Sequence, residues 1–174
     1  VSSQTPVATA PAAVSIADPG PLGLAGFAMT TFVLSTFNAN ILHAGLEPVV
    51  LPLALFYGGL AQLLAGMWEF RKGNTFGALA FSSYGAFWLA FYWLLTYDAA
   101  KLGPAADVHK AIGLFLLAWT IFTAYMTIAA LRTSGAVLAV FVVLTLTFLF
   151  LTIGAFATGS TGTNITHVGG WLGL

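Results

Sequence analysis

The stretch FYGGLAQLLAGMWEFRKGNTFGALAFSSYGAFWLA, Phe56–Ala90, holds two apolar segments rich in glycine and alanine, split by one hydrophilic break at Glu69–Thr75. Glycine costs helix stability in water, so its abundance here needs a setting in which it helps. A bilayer is such a setting, because small residues let helices approach closely where lipid supplies no hydrophobic drive for association. In the first segment Gly58, Gln62, Gly66 and Glu69 are spaced by four, four and three, which places them on one helix face. An unsatisfied amide facing lipid is costly, so Gln62 is expected to point inward, to bond a neighbouring helix or to line a path. Glu69, beside Arg71 and Lys72, reads as a structural ion pair or a cap, with a proton relay as the alternative.

Composition agrees. The 174 residues are 59% hydrophobic and 6% charged, against about 25% charged in a soluble domain, and the mean hydropathy is +0.96. Five acids and five bases cannot cover a water-facing surface. Cysteine is absent, which excludes a disulfide framework and thiolate metal sites. The zero net charge gives no electrostatic footprint for nucleic acid. Period-two alternation, the mark of a β-barrel, is missing. The expected fold is an all-α integral membrane protein.

The charges mark the spans. Apolar runs at about 21–42, 51–70, 76–97, 111–131 and 135–156 each approach the roughly 20 residues that cross a bilayer. Residues 1–17, rich in Ala, Pro, Ser and Thr, are expected to form a flexible tail, ahead of a bundle over 18–174. Ala157–Val168 reads as a loop and Gly169–Leu174 as the opening of a truncated sixth helix, a complete five-helix protein being the alternative. With the N-terminus inside, cytoplasmic loops carry Arg71, Lys72 and Arg132 against Lys101 and Lys110 outside, which favours a cytoplasmic N-terminus. Asn164-Ile165-Thr166 fits a glycosylation sequon, a pattern that arises often by chance.

A faint repeat sets Leu22-Gly23-Leu24 over Ile112-Gly113-Leu114, pairing Thr30 with Thr120 and Phe32 with Phe122. Between antiparallel helices this would be an inverted 3+3 repeat, a plan common in transport proteins; chance similarity of apolar helices is the other reading. In the first helix Phe27, Thr31, Leu34 and Asn38 align on one face, with Thr30 at its edge, and in the fourth Thr120, Thr123 and Thr127 form a second stripe. Together with Gln62 they suggest a narrow, partly polar passage. No Lys or Arg lies inside a span, so an anion there would be held by hydroxyls, amides and helix N-termini.

Enzyme signals are missing. His43, His109 and His167 lie in loops or at helix ends without i, i+4 pairing, and there is no Walker loop, dinucleotide fingerprint or Gly-x-Ser-x-Gly elbow. Neither catalysis nor a cofactor or metal is expected.

Asp18-Pro19-Gly20-Pro21-Leu22-Gly23-Leu24 resembles the Asn-Pro-Ala-Pro-Leu-Gly-Leu signature opening helix 1 of the acetate uptake transporter family, the succinate–acetate permeases. Phe56–Ala90 is similar to that family's helix 2–helix 3 region, Leu144 through Gly154 to its helix 5, and Gly169–Leu174 to the start of its helix 6. The resemblance implies six helices per protomer, a hexamer with a pore in each protomer, and passage of acetate and other small carboxylates, succinate among the candidates. It also implies a constriction of Phe, Tyr and Leu, which maps onto Phe27, Tyr84 and Leu144; an aromatic–aliphatic collar would bar water and ions. Expected substrate contacts are Pro21, Leu22, Gly23 and Leu24 of the signature, with Thr30, Thr31, Asn38 and Gln62. Asp18 departs from the family's Asn, and a carboxylate at the mouth should repel an anion unless it is protonated or caps the helix. A channel for a neutral solute such as urea is the alternative function, and a non-transporting scaffold the third. Membrane lipid and further copies of the chain are the other expected partners.

Overall fold

The computed structural model describes residues 15–157 and 159–174; most of the expected tail, residues 1–14, lies outside the described residues. Six helical rods follow one another, α1 Gly20–Asn38, α2 Ala44–Lys72, α3 Thr75–Lys101, α4 Ala105–Ala130, α5 Gly135–Phe156 and α6 Gly159–Gly173. Five of them, all but α6, are long and apolar enough to cross a membrane. Leucine, isoleucine and phenylalanine face outward on these rods, Leu114 at 65% exposure and Ile128 at 69%, as lipid requires and water would not allow.

The helix ends are encoded locally. Pro21 sits in the first turn of α1, where a missing N–H costs nothing. Gly73 ends α2 at φ 81°, a left-handed turn that favours glycine. The Asn74 carboxamide oxygen accepts the Gly77 N–H at 3.2 Å and starts α3, and Ser134 caps α5 through the Val137 N–H at 3.3 Å.

The α2–α3 seam explains the glycines of Phe56–Ala90. A Cβ on Gly85 would stand 2.6 Å from the Leu63 backbone nitrogen, and one on Gly66 would collide with Ser82. In the middle of α2, Phe56–Ala61 forms a wide π turn, with Gly58 and Gly59 buried.

The most extensive contacts join α4 to α5, α5 to α6 and α2 to α3, while α1 lies against both α2 and α6. Backbone contact between α3 and α4 is sparse, and aromatic side chains fill that gap. Phe87 packs against Phe115, Trp119 and Phe148 with centroids 5.6, 5.1 and 5.4 Å away.

Helix α6 differs from expectation. It begins at Gly159, ten residues before the expected start at Gly169. Gly159-Ser160-Thr161-Gly162-Thr163-Asn164 carries no apolar run and reads as a loop. The backbone is helical there because Gly162 and Thr166 meet Gly154 and Ala157 of the α5 end at close range; packing overrides poor propensity.

Candidate functional site

A cavity of about 230 Å³ opens at the end of the bundle where α1, α3 and α5 begin and α2 finishes. A single water needs about 10–15 Å³ by the same measure, so a small solute has room. Its inner wall includes Phe27 of α1, Tyr84 of α3 and Leu144 of α5, three residues far apart in sequence. The Phe27 and Tyr84 rings lie 5.4 Å apart. Tyr84 also touches Phe122 of α4 at 5.5 Å and Phe141 of α5 at 6.1 Å. Its hydroxyl is 2.9 Å from Thr123 Oγ1, which fixes the ring against α4.

Polar groups face the cavity from α2 and from the approach to α1. Gln62 and Glu69, both 1% exposed, line it, and Gln62 Oε1 and Glu69 Oε2 have no hydrogen-bond partner among the described residues. Nearer the mouth, Lys72 Nζ meets Asp18 Oδ1 at 2.7 Å, and that same oxygen accepts the Gly20 N–H at 2.9 Å. The Lys72 ammonium, then the Gly20 amide, hold the Asp18 carboxyl below its usual range. The Asp18 charge is thereby balanced by Lys72, and its oxygen holds the first N–H of α1, the capping role that the sequence left open.

Of the other expected contacts, Leu24 lines the cavity and the rest do not, while Gly20 of the signature lines it as well. Pro19 is buried at the helix start, while Pro21 and Leu22 point outward. Gly23 packs against the Phe81 ring. Thr30 donates to the Gly26 carbonyl at 2.9 Å and abuts Gly58 in the α1–α2 seam. Thr31 Oγ1 is buried and unpartnered away from this cavity. Asn38 ends α1 beside Gly170 of α6.

Two readings of the sequence are corrected. The threonine stripe of α4 does not line the cavity. It forms cross-helix bonds, Thr120 with Thr152 at 2.9 Å and Thr127 with Thr145 at 2.8 Å, besides Thr123 with Tyr84. Among the described residues Glu69 forms no ion pair, because the Lys72 ammonium reaches Asp18 instead. Sequence reading also missed Phe76 and Phe141, whose rings meet edge-on at 5.2 Å in the cavity wall. Phe141 lies three residues before Leu144, a helical spacing that could have signalled a shared face.

Five helices long and apolar enough to cross a membrane, with a cavity that Phe27, Tyr84 and Leu144 share with Gln62 and Glu69, define a helical membrane protein. The chain is a member of the GPR1/FUN34/yaaH family, whose model matches residues 2–174. It is 44% identical over 171 residues to Ammonia transport outward protein 2 of Saccharomyces cerevisiae, covering 95% of this chain and 59% of that protein. It is 40% identical over 159 residues to the succinate-acetate/proton symporter SatP of Escherichia coli, covering 91% of this chain and 81% of that protein. The solved structure of the bacterial acetate channel SatP superposes with a TM-score of 0.81 at 39% identity, over 92% of this chain and 85% of that one. The chain thus spans less than two thirds of the yeast relative it matches.

Proposed function

We propose that this protein passes acetate and other small carboxylates, succinate among them, across the cell membrane through a pore in each protomer. It acts as a transport protein and not as an enzyme. The observation that carries this reading is the closure of one cavity by Phe27, Tyr84 and Leu144 beneath a mouth holding Asp18 and Lys72. The collar matches the constriction implied by the sequence resemblance, and the names of the bacterial symporter and channel support the carboxylate. A neutral path for urea is not favoured. The yeast relative's name supports a second reading, outward passage of ammonia.

The same reading includes a homo-oligomer, a hexameric ring by resemblance, in the plasma or inner membrane with a cytoplasmic N-terminus. That orientation puts the Asp18–Lys72 mouth inside the cell. Proteoliposome uptake of labelled acetate, with urea and ammonia in parallel arms, tests it; flux of urea or ammonia without acetate overturns it. Steady acetate current that is indifferent to a pH gradient identifies a channel, and accumulation driven by the gradient a symporter.

A further inference from the structure

We infer that Glu69 is the proton-exchange group of the vestibule, handing a proton to an incoming carboxylate before the solute reaches the collar. The inference rests on the carboxylate reading above. A glutamate placed for structure alone would be paired, because an uncompensated carboxylate buried at a membrane boundary is strongly disfavoured. Glu69 is buried, lines the cavity and leaves Oε2 without a partner.

Among the described residues no neighbouring group bonds Glu69 Oε2, although the Lys72 charge lies near enough to attract the carboxyl. Lys72, one turn on, is bound to Asp18 at 2.7 Å. The N–H groups of Gly20 and Gly77, the two glycines nearest the carboxyl, are taken by Asp18 and Asn74. Of the elements around it, α3 contributes the uncharged Asn74 and Gly77, and α5 contributes apolar Val137, Val140 and Phe141. Among the described lining residues, Asp18 and Lys72 are the other charged groups, and they balance each other. Both glycines also leave room at the carboxyl head; a Cβ on Gly77 would stand 3.0 Å from Glu69 Cδ.

A second atom explains where the proton goes. Gln62 Oε1, on the same face of α2, is buried in the cavity wall without a donor. Seven residues separate it from Glu69, about 10 Å along the helix. A carboxylate anion brings that acceptor nothing, whereas a neutral carboxylic acid brings an O–H. The exchange is balanced: Glu69–COOH and RCOO⁻ become Glu69–COO⁻ and RCOOH, one O–H bond breaking as the other forms. The acid then donates to Gln62 and passes the collar uncharged, and a proton from water at the mouth restores Glu69.

The test uses the full chain in proteoliposomes, with protein-free vesicles subtracted. Acetate flux of the unaltered protein should fall about tenfold per pH unit above its transition, while Glu69→Gln changes less than about twofold over the same range. Glu69→Asp, which keeps a titrating carboxyl, should restore the slope. Infrared difference spectra with ¹³C-labelled acetate give a readout that packing would not move. A protonated-carboxyl band should grow as the pH falls and be absent from Glu69→Gln. A Glu69→Gln profile parallel to that of the unaltered protein, or an unchanged band, overturns the inference while leaving the acetate reading in place. No acetate flux from the unaltered protein overturns that reading instead, and the infrared band still decides whether Glu69 carries the proton.

Discussion

The Tyr84 hydroxyl and the Thr123 Oγ1 lie 2.9 Å apart in the buried seam between α3 and α4, where backbone contact is otherwise sparse. The hydroxyl therefore has a structural partner already. Tyr84→Phe should cost about 0.5–1.5 kcal/mol of stability, the net worth of one such bond, and leave acetate flux and its size selection nearly unchanged. Thermal unfolding by size-exclusion chromatography alongside flux separates the two effects. Loss of flux at preserved stability would instead give the hydroxyl a substrate-binding role.

Leu144 shares the cavity with Phe27 and Tyr84, so its volume should set what passes. Leu144→Ala is expected to admit bulkier carboxylates such as lactate or succinate with acetate flux kept or raised. Truncating a buried leucine also costs about 2–5 kcal/mol, so assembly is checked first. An unchanged selectivity ratio in an assembled oligomer would remove Leu144 from the path.

Asp18 offers a pH prediction with a definite sign. Its carboxyl is held below the ordinary value of 3.8 by Lys72 and the Gly20 amide. The pair's contribution to stability is therefore fully present above that value and lost as the pH falls through the lowered one. Asp18→Asn should remove this acid-dependent loss and transport acetate at least as well as the unaltered protein. The pair is exposed, Asp18 at 61%, so the stability change should be small and screened by salt. Melting profiles over acidic pH, with flux near neutrality, check both parts.

Gly85→Ala tests the seam. Its Cβ would stand 2.6 Å from backbone on α2, where no side-chain rotation relieves the clash. The α2–α3 pair should separate at a cost of about 1–3 kcal/mol or more, lowering the yield of assembled protein. Gly135→Ala, with open space around it, is the matched control and should assemble normally.

Much of this was legible in the sequence. Charge spacing located five spans, and glycine spacing located the seam, because both follow from one-dimensional rules about lipid and helix faces. That Phe27, Tyr84 and Leu144 share one cavity was signalled by motifs alone, since nothing in helical periodicity links residues 27, 84 and 144. Other features depend on where neighbours stand. A threonine hydroxyl on an apolar helix looks the same whether it lines a path or bonds another helix, and Thr120, Thr123 and Thr127 bond. Glu69 beside Arg71 and Lys72 suggested pairing, but at 100° per residue Arg71 lies on the opposite face, and Lys72 turns to Asp18. The beginning of α6 was hidden because its helical state comes from α5 and not from its own residues.

The wide turn at Phe56–Ala61 has the geometry left by a single inserted residue in an α-helix. Its presence fixes the phase between the two halves of α2. Shortening the chain there by one residue would turn the half that carries Gln62 and Glu69 by about 100° against the half before it. Either those two side chains or the glycines packed on α1 and α3 would then swing out toward lipid. Length in this segment is therefore as constrained as residue identity, and chains that keep every polar group but lose one position here should fail to form the vestibule.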